Sequence, residues 1–549
     1  MKIKALSVSG YEVIKEAFGL SDLAAKVCAA KSLNQAQITE LLSNSEMIDP
    51  FCAQGMSEVI QRITQAREAK EKVLICGDYD ADGICATAIL YDALSRYGIT
   101  CGFYIPNRFK EGYGLHRSTV DLAKQKEYSL LITVDNGVKA FEALNQCTKL
   151  GIDTIVSDHH TMDQPVPCTH LLHSHTMGEQ FDNLCGAGIA LMISRALLGE
   201  IKEHVVLAAV AAIGDVMPLW KETRKIVKQG IAYLKAGICQ SIQALSNDNK
   251  WDERTIAFQV VPKLNATGRL ADLANANNTV KFLLMNRKAD ILLFAQQIDA
   301  LNQKRRTMSG KMTEFARTLV NPNDAFLMLQ HEDFHEGLLG IIAAKLCEEY
   351  HKPAMVFSQA GEEIKGSIRS NHMIDLRSFF SDCPISLIAY GGHAAAAGIS
   401  LHQKDYPAFY EYVQKKMKTA SVTDEIIQEA IPCLIEECEL AAVHELEALA
   451  PFGEQFSKPL FLIENYSVKE MKSLTNGKHV KWESLENIDA LYFNAKDVYA
   501  KYQNETRLTF LGSLSVNEFR NIKKVNIIVD EIASPNTNID IEAESVSLI

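Results

Sequence analysis

Short apolar segments alternate with longer amphipathic segments along the chain from Val73 to about Leu219. The apolar segments are rich in Val and Ile, and the longer segments place their apolar residues at helical spacing. This alternation predicts βαβ units on a parallel sheet, whose functional groups lie at the carboxyl ends of the strands. The predicted strands are residues 73–76, 99–105, 129–134 and 154–157, and the predicted helices between them are residues 84–97, 118–126 and 139–150.

The pattern outside this region predicts a long helix, a second α/β unit and a β-rich tail. Residues 286–319 keep helical periodicity with no glycine before position 310, which suits a connecting helix. The tail contains turn residues between short β-rich segments, and such a pattern predicts a small β-barrel. Beyond Pro322 the predicted strands are residues 325–330, 354–357 and 364–368 around a helix at 340–350, and those of the tail are 460–466, 479–482, 490–493, 506–511 and 525–529.

The predicted fold class is therefore α/β, with a parallel-sheet domain, a long helix, a smaller α/β domain and a C-terminal β-barrel. The predicted segments are a helical lead-in at 1–70, the parallel-sheet domain at 71–220, a helical region with the connecting helix at 221–320, the smaller α/β domain at 321–405, an acidic helical linker at 406–450 and the barrel at 451–549.

Composition and charge narrow the range of functions. The chain has 549 residues, of which 47% are apolar and 23% are charged, so it is neither disordered nor collagen-like. Its net charge of −12 opposes nucleic-acid binding through overall charge, so a polyanion must bind at a local basic cluster. Thirteen cysteines without regular CxxC pairs fit reduced thiols, and no apolar segment is long enough for a membrane helix. We therefore expect a cytoplasmic protein with no membrane partner.

An aspartate-rich turn follows the first predicted strand. Asp78, Asp80 and Asp82 occupy alternate positions between that strand and the helix that begins near Ile84. Asp is a good helix N-cap, so the turn alone is compatible with a purely structural role. A calcium-binding loop is a weaker interpretation, because the later ligands and the preceding helix are missing.

Further acids and histidines follow the later strands. Asp135 ends one predicted strand, Asp158, His159 and His160 end the next, and Asp215 follows an apolar helix. A parallel sheet would bring these groups together, and two unit charges about 4 Å apart repel by about 4 kcal/mol at an effective dielectric of 20. Such a cluster needs cations, and carboxylates with one or two imidazoles suit Mn²⁺ or Mg²⁺. Two such ions can drive hydrolysis of a phosphoester or phosphoanhydride.

Ordered motifs across the chain resemble a known family. The chain resembles the DHH phosphoesterase superfamily with its DHHA1 domain, and within it the bacterial single-strand-specific exonucleases. The motifs are GDYDADG at 77–83, VDNG at 134–137, SDHH at 157–160, PKLNATGRL at 262–270, HEG at 335–337, KGSIRS at 365–370, GGHAAAAG at 391–398, PFG at 451–453 and NEF at 517–519, with Leu301, Asn302, Arg305 and Arg306 between them.

The resemblance implies a ligand set for Mn²⁺ or Mg²⁺, with two ions expected. The implied metal-binding residues are Asp78, Asp80, Asp82, Asp135, Asp158, His159 and Asp215. Asp80, Asp82, Asp135 and His160 are the implied catalytic residues. His160 could steady the scissile phosphate or help protonate the leaving oxygen, since imidazole titrates near neutral pH. Which acid binds which ion stays open.

The resemblance also implies a set of substrate-binding residues. Arg108, Arg269, Ser367 and Arg369 match a pocket for a 5′-terminal phosphate, which guanidinium groups bind well. Gly392 and His393 lie in a Gly/Ala-rich turn that lets backbone approach a phosphate closely. Taken singly, each arginine would be interpreted as a surface charge and the glycine turn as a packing feature.

The resemblance further implies that the predicted barrel is an oligonucleotide-binding β-barrel. Its aromatic and basic residues are then candidates for stacking bases and binding the backbone of a single strand. The candidates are Tyr466, Trp482, Tyr492, Phe493 and Phe519, with Lys478, Lys481, Arg520, Lys523 and Lys524. The sequence departs from the family pattern after Gly453, where Glu454 to Pro459 replace the usual Gly-Asn-Pro, and at Asn521, where a glycine is usual.

The predicted function is metal-dependent hydrolysis of single-stranded DNA from its 5′ end, in DNA repair and recombination. Single-strand-binding protein and a RecQ-type helicase are partners that only the resemblance implies. Two alternatives remain open: a DHH-type phosphodiesterase that acts on short oligonucleotides or cyclic dinucleotides, and a DNA-binding scaffold without turnover.

Overall fold

The computed structural model describes residues 2–248, 250–371, 373–420, 427–475, 477–495, 497–519, 522–533 and 539–541. The chain forms two compact units. The first unit joins Met1–Glu46 to Glu425–Ile549, and the second unit is Met47–Asp424.

The strands of the described residues form three sheets. The strands are β1 (Lys2–Ala5), β2 (Lys72–Cys76), β3 (Thr100–Tyr104), β4 (Leu130–Val134), β5 (Asp153–Asp158), β6 (His170–His173), β7 (Leu327–His331), β8 (Ala354–Ala360), β9 (Glu363–Arg369), β10 (Ala389–Gly392), β11 (Ala396–His402), β12 (Ile427–Cys433), β13 (Phe461–Leu474), β14 (His479–Ser484), β15 (Asp489–Tyr492), β16 (Arg507–Phe519), β17 (Ile522–Ala533) and β18 (Ile539–Ile541).

Helices pack on the sheets of the second unit and flank the strands of the first. The helices are α1 (Tyr11–Phe18), α2 (Asp22–Ala30), α3 (Gln35–Leu42), α4 (Met56–Glu68), α5 (Ala81–Arg96), α6 (Arg117–Gln125), α7 (Phe141–Leu150), α8 (Gly186–Leu198), α9 (Lys202–Gly214), α10 (Lys221–Lys235), α11 (Gln240–Gln243), α12 (Glu253–Thr255), α13 (Val261–Arg269), α14 (Ala276–Leu283), α15 (Lys288–Leu319), α16 (Leu339–Tyr350), α17 (Leu376–Phe380), α18 (Tyr406–Met417), α19 (Leu440–Ala448) and α20 (Val498–Tyr502).

The second unit begins with a five-stranded parallel sheet in the order β3-β2-β4-β5-β6. Every pairing in this sheet is parallel. Strands β2 and β4 are buried almost throughout, as their continuous apolar sequences require in a sheet that is covered on both faces. The carboxyl ends of β2, β4 and β5 therefore open on the same edge, and the predicted parallel sheet is confirmed.

Helix α5 forms the core of this domain. All ten of its residues from Ala81 to Leu90 are buried, and it packs against α8 and α9, whose sequences are largely apolar. A helix that is apolar all round is a core helix rather than a surface helix. The aspartate-rich turn before α5 is thereby held on a rigid element.

Helix α15 is the long helix that the sequence pattern predicts, and it packs against α13 and α16 within the second unit. The smaller α/β domain has the strand order β10-β11-β9-β8-β7, in which only β7 and β8 pair in parallel. Helix α18 adds Phe409 and Val413 to the core of this domain, although the sequence pattern ends the domain at residue 405.

In the first unit, β13, β14, β15, β17 and β16 pair in a closed ring, which is the predicted five-stranded barrel. The barrel sheet continues through β12 to β1 and β18. Strands β1 and β12 pair in parallel, whereas the sequence pattern predicts helix in both places. Each of these strands is short and is stabilised by a partner that lies far away in sequence, so local periodicity could not reveal it.

All thirteen cysteines are free thiols, as expected from their spacing. Within the part of the chain that the structure describes, no helix has the length and apolar character needed to cross a bilayer. The division of the chain into six segments stays a prediction.

Candidate metal centre and phosphate pocket

Aspartates and histidines converge at the carboxyl edge of the parallel sheet. His159 lies at the centre of this cluster: its Nε2 is 3.1 Å from Oδ1 of Asp135, 3.5 Å from Oδ2 of Asp215 and 3.7 Å from Oδ2 of Asp82. The ligand atoms fall into three groups, within each of which they lie within 4.8 Å of one another. The groups are Asp135, Asp158, His159 and His160; Asp82, His159 and Asp215; and Asp78, Asp80 and Asp135.

The aspartate-rich turn uses its side chains in two ways. Asp80 is the N-cap of α5 and accepts a hydrogen bond from the Gly83 amide at 3.0 Å. Asp82 accepts hydrogen bonds from the Gly186 and Ala187 amides of α8, both at 2.7 Å. A helix N-terminus attracts a carboxylate, so Asp82 also holds α8 against α5.

Asp135 has a backbone φ of 61°, in the left-handed region that L-residues seldom adopt. The conformation is stabilised by neighbours: the Tyr113 hydroxyl donates to the Asp135 carbonyl at 3.0 Å, and the Asn136 side chain donates to the Cys76 carbonyl at 3.0 Å. A Cβ on Gly186 would come within 2.5 Å of the Asp135 Cβ, so only glycine allows α8 to approach this closely. Asp135 is thus held in a strained conformation at the centre of the cluster.

Asp158 organises the two histidines that follow it. Its Oδ1 accepts from the amides of His159 and His160 at 2.8 and 3.1 Å, and it lies 2.8 Å from Nδ1 of the His160 ring. Its Oδ2 accepts from the Val138 amide at 3.0 Å. Because both of its oxygens accept these hydrogen bonds, the main role of Asp158 is to orient the loop that carries His159 and His160, called the histidine loop below.

Burial and mutual repulsion raise the pKa of several of these acids. Desolvation is the larger cause and neighbouring carboxylates the next for Asp78, Asp80 and Asp135. The same causes, burial first and then Asp82, raise the pKa of Asp215 to about 8. The raised pKa values indicate that the protein itself supplies too little positive charge to neutralise these carboxylates.

The histidines differ in their electrostatic environment. Burial lowers the pKa of His159, which favours the neutral ring that ligates metals. Burial also disfavours the charged form of His160, but its hydrogen bond to Asp158 and the nearby carboxylates together outweigh burial and raise the His160 pKa to about 9. His160 is therefore positively charged at neutral pH, whereas His159 is not.

The cluster fits divalent cations by its own chemistry. Oδ1 of Asp78 is buried and has no hydrogen-bond partner among the described residues. A buried carboxylate oxygen without a partner is costly, and a hard cation with oxygen and imidazole ligands would satisfy it. The donor set of carboxylates with imidazole suits Mn²⁺ or Mg²⁺, and no thiol belongs to the groups above.

A cluster of guanidinium groups lies beside the acids. The pKa of Arg269 falls to about 10, first through burial and then through repulsion by Arg108, Arg305 and Arg369, while Asp80 acts in the opposite direction. Arg369 donates to Ser367 Oγ at 3.0 Å, and Arg108 stacks over the Tyr79 ring with its Cζ 5.2 Å from the centroid. None of these four arginines forms an ion pair with a carboxylate of the described residues. Such an unneutralised cluster of guanidinium groups is suited to a phosphate.

A cavity of about 1010 Å³ extends from the histidine loop to the smaller α/β domain. Asp158 and His160 line one side of it, and Arg377, Gly392 and His393 line the other. Gly392 has a φ of 149°, and a Cβ there would come within 2.5 Å of Ala397 Cα, so the close turn at this point requires glycine. The structure thus brings the glycine-rich motif to the same cavity as the histidine motif.

Sequence reasoning missed two residues that support the site. Tyr113 lies between two glycines with positive φ, and its hydroxyl lies 3.3 Å from His160 Nδ1 as well as 3.0 Å from the Asp135 carbonyl. His173 is fully buried, and its Nε2 lies 2.8 Å from the His160 carbonyl. The Gly-Tyr-Gly sequence could have signalled the first residue. The second belongs to a histidine-rich segment, residues 168–175, for which the nearby prolines predict a surface loop, whereas His170–His173 form the strand β6.

The barrel candidates divide into core and surface residues. Tyr466 and Trp482 are fully buried and pack on Phe510, so they form barrel core and cannot stack bases. Phe493 is half exposed and packs edge-on against His479. Lys481 pairs with Glu483 and Asp489. Arg520 and Asn521 lie outside the described residues, as does the side chain of Phe519.

Three family models match the chain in order. Residues 72–214 match the N-terminal domain of the DHH family, residues 323–419 match the DHHA1 domain, and residues 431–531 match the RecJ OB domain. The three matches coincide with the parallel-sheet domain, the smaller α/β domain and the barrel.

The chain is 30% identical over 544 residues to the single-stranded-DNA-specific exonuclease RecJ of Bacillus subtilis (strain 168), a match that covers 95% of this chain and 69% of that protein. The crystal structure of RecJ in complex with Mn²⁺ from Thermus thermophilus has the same fold, with a TM-score of 0.83 and 24% identity over 98% of this chain and 80% of that one. A crystal structure of exonuclease RecJ bound to manganese matches with a TM-score of 0.59 and 29% identity, over 67% of this chain and 95% of that one. The order of the three domains and the similarity along nearly the whole chain show that the protein belongs to the RecJ family.

Proposed function

We propose that this protein is a single-stranded-DNA-specific exonuclease that hydrolyses the strand from its 5′ end, depends on Mn²⁺ or Mg²⁺ and acts in DNA repair and recombination. The observation that supports this best is the meeting of a carboxylate and histidine cluster with an arginine cluster in one unit. The first cluster suits divalent cations and the second suits a terminal phosphate, so the two together suit cleavage next to a phosphorylated end.

Six residues of the three groups at the sheet edge are proposed to hold the cations, while Asp158 and His160 orient the histidine loop and donate to the substrate. His159, Asp135, Asp82 and Asp215 supply the innermost ligand atoms, and Asp78 and Asp80 supply the others. When bound, a pair of divalent ions about 3.5–4 Å apart can lower the pKa of a water and stabilise the oxygens of an in-line displacement at phosphorus.

The protein's own groups would orient the substrate and move its protons. His160, positively charged and held by Asp158, can donate a hydrogen bond or a proton to a phosphate or leaving oxygen in the cavity. Gly392 and His393 face the same cavity and can bind the scissile phosphate. Tyr113, through the Asp135 carbonyl, keeps the acid cluster in its strained geometry.

The 5′ end would be recognised by the arginine cluster. Arg108, Arg269, Arg369 and Ser367 offer charged and hydroxyl donors to phosphate oxygens. A pocket that holds a terminal phosphate favours cutting from an end over internal cutting.

We propose single-strand-binding protein and a RecQ-type helicase as partners, and the cytoplasm as the location, on the basis of the family resemblance. We also propose that the parallel-sheet domain, the smaller α/β domain and the barrel are the functional divisions of the chain.

The experiment that tests this function follows a 5′-labelled single-stranded DNA with Mn²⁺ present and again with a chelator. The protein is expected to release labelled mononucleotide with Mn²⁺ only. Asp80→Asn keeps the helix cap but removes a charge, and we expect at least about a hundredfold loss of rate. Asp252→Asn, at the N-cap of α12 and outside the cavity lining, is the matched control and should keep the rate. Equal turnover by Asp80→Asn and the parent protein would contradict the assignment.

A further inference from the structure

Tyr79 stands between two of the clustered aspartates in sequence, but its ring faces the arginine cluster. The Arg108 guanidinium stacks over the ring at 5.2 Å, and the Tyr113 ring meets it edge-on at 6.4 Å. The Tyr79 hydroxyl forms no hydrogen bond to any described residue. Arg108 and Tyr113 therefore contact the aromatic ring of Tyr79 and not its hydroxyl.

The backbone of Tyr79 packs against α13, the helix that carries a second arginine of the cluster. Gly268, next to Arg269 at the end of α13, lies so close that an added Cβ would collide with the Tyr79 carbonyl and come within 3.1 Å of the ring carbon Cδ2. The Asn265 side chain of the same helix accepts a hydrogen bond from the Ala81 amide at 2.8 Å. Helix α13 is thus seated directly on the aspartate-rich turn.

Both contacts tie the arginine cluster to the acid cluster through one residue. Arg108 is placed by the ring of Tyr79, and the backbone of Tyr79 contacts Gly268, the residue that precedes Arg269. Asp78 and Asp80 are the immediate chain neighbours of Tyr79, and Asp80 is close enough to Arg269 to oppose the lowering of the Arg269 pKa. The separation between the two clusters therefore depends on the geometry at Tyr79.

We propose that Tyr79 is the positioning residue that sets the distance between the pocket for the 5′-terminal phosphate and the metal centre. It thereby determines how strongly a phosphorylated end is preferred and how many nucleotides are removed in each cut. This inference rests on the proposed function. The ligand it concerns is a phosphate monoester at the 5′ end of a single strand.

The test compares two single strands of one sequence, one with a 5′-phosphate and one with a 5′-hydroxyl, in Tyr79→Ala, Tyr79→Leu and Tyr79→Phe. Loss of the aromatic face in Ala and Leu should raise KM for the phosphorylated strand about tenfold and leave KM for the hydroxyl strand unchanged. The fragments released should also become mixed in length. Tyr79→Phe keeps the ring and should restore both the preference and the single product length.

Two further measurements separate this inference from the proposed function. Fluorescence anisotropy with chelator present gives the affinity for both strands without any cleavage, and the parent protein should bind the phosphorylated strand more tightly. The rise in melting temperature with Mn²⁺ should be equal in all variants if the acid cluster is intact.

The proposed function and the positioning role of Tyr79 would be refuted by different results. A parent protein that cleaves neither strand refutes the proposed function, while the anisotropy data still test Tyr79. An unchanged phosphate preference in folded Tyr79→Ala and Tyr79→Leu refutes the positioning role, and so does a loss of preference in Tyr79→Phe.

Discussion

Several side chains at this site have a structural role in addition to their proposed role in metal binding. Asp82 both faces His159 and accepts the first amides of α8, and Asp158 uses both oxygens to hold the histidine loop. Removing such a residue would change packing as well as chemistry. Substitutions at Asp80, whose hydrogen bond to the Gly83 amide is a local helix cap, therefore report on chemistry more directly.

His173 supplies a prediction at the residue scale. His173 is buried, its Nδ1 accepts from the His175 amide, and its Nε2 therefore donates to the His160 carbonyl. His173→Phe would leave that carbonyl without a partner, at a cost of about 1–3 kcal/mol, and would loosen the loop that carries His159 and His160. We expect kcat to fall about tenfold with little change in KM.

The control for His173 is its neighbour. The His175 side chain is 65% exposed, so His175→Ala should leave kcat and the melting temperature unchanged. His173→Gln, whose amide can donate to the same carbonyl, should recover most of the rate. If His173→Phe turned over at the parent rate, the positioning role of this hydrogen bond would be excluded.

At the scale of elements, the site depends on how closely α8 approaches the sheet. The N-terminus of α8 meets Asp82 through two amides and meets Asp135 through the bare Cα of Gly186. Both acids belong to the proposed metal centre. The position of one helix therefore controls the separation of two acids that follow different strands.

Gly186→Ala tests this dependence. The new methyl group would overlap Asp135, so α8 must move, and we expect a loss of about 1–3 kcal/mol in the free energy of unfolding together with weaker Mn²⁺ binding. Gly310→Ala is the matched control, because nothing lies within 4 Å of the added Cβ in the middle of α15. It should stabilise the protein by about 0.5–1 kcal/mol. Denaturant titration with and without Mn²⁺ measures both effects.

At the scale of the whole molecule, the acid cluster links folding stability to pH and metal. The pKa values of Asp78, Asp80 and Asp135 are raised, and that of Asp215 is raised to about 8, so the folded state binds more protons than the unfolded state. These groups destabilise the metal-free fold as pH rises through their folded pKa values. The raised pKa of His160, about 9, acts in the same direction, since its contribution is lost as pH rises from 6.5 to 9.

The metal-free protein is therefore expected to melt at a lower temperature at pH 8.5 than at pH 6. Mn²⁺ competes with protons for these carboxylates, so it should raise the melting temperature more at pH 8.5. At a hundred times its dissociation constant the ion contributes about 2.7 kcal/mol. Differential scanning calorimetry at the two pH values measures this, and a Mn²⁺ effect that does not vary with pH would argue against a carboxylate site of this kind.

The sequence alone determined the local elements and their order. The strands that end at Cys76, Val134 and Asp158, and the helices that follow the first two, agree with the observed bounds within a few residues, because hydrophobic periodicity and helix caps act over short distances. The parallel arrangement followed from that alternation, and with it the expectation that the acids after these strands share one edge.

Only the tertiary structure decided which residues meet across long separations. The pairing of β1 with β12, the burial of Tyr466 and Trp482, the seating of α13 on Tyr79 and the hydrogen bond from His173 each join segments with no local sequence signal. The same holds for the left-handed backbone of Asp135, which is strained by itself and is held by Tyr113. Contacts of this kind form only when the complete chain packs, because the free energy that stabilises each contact comes from a partner that is distant in sequence and not from the residues next to it in the chain.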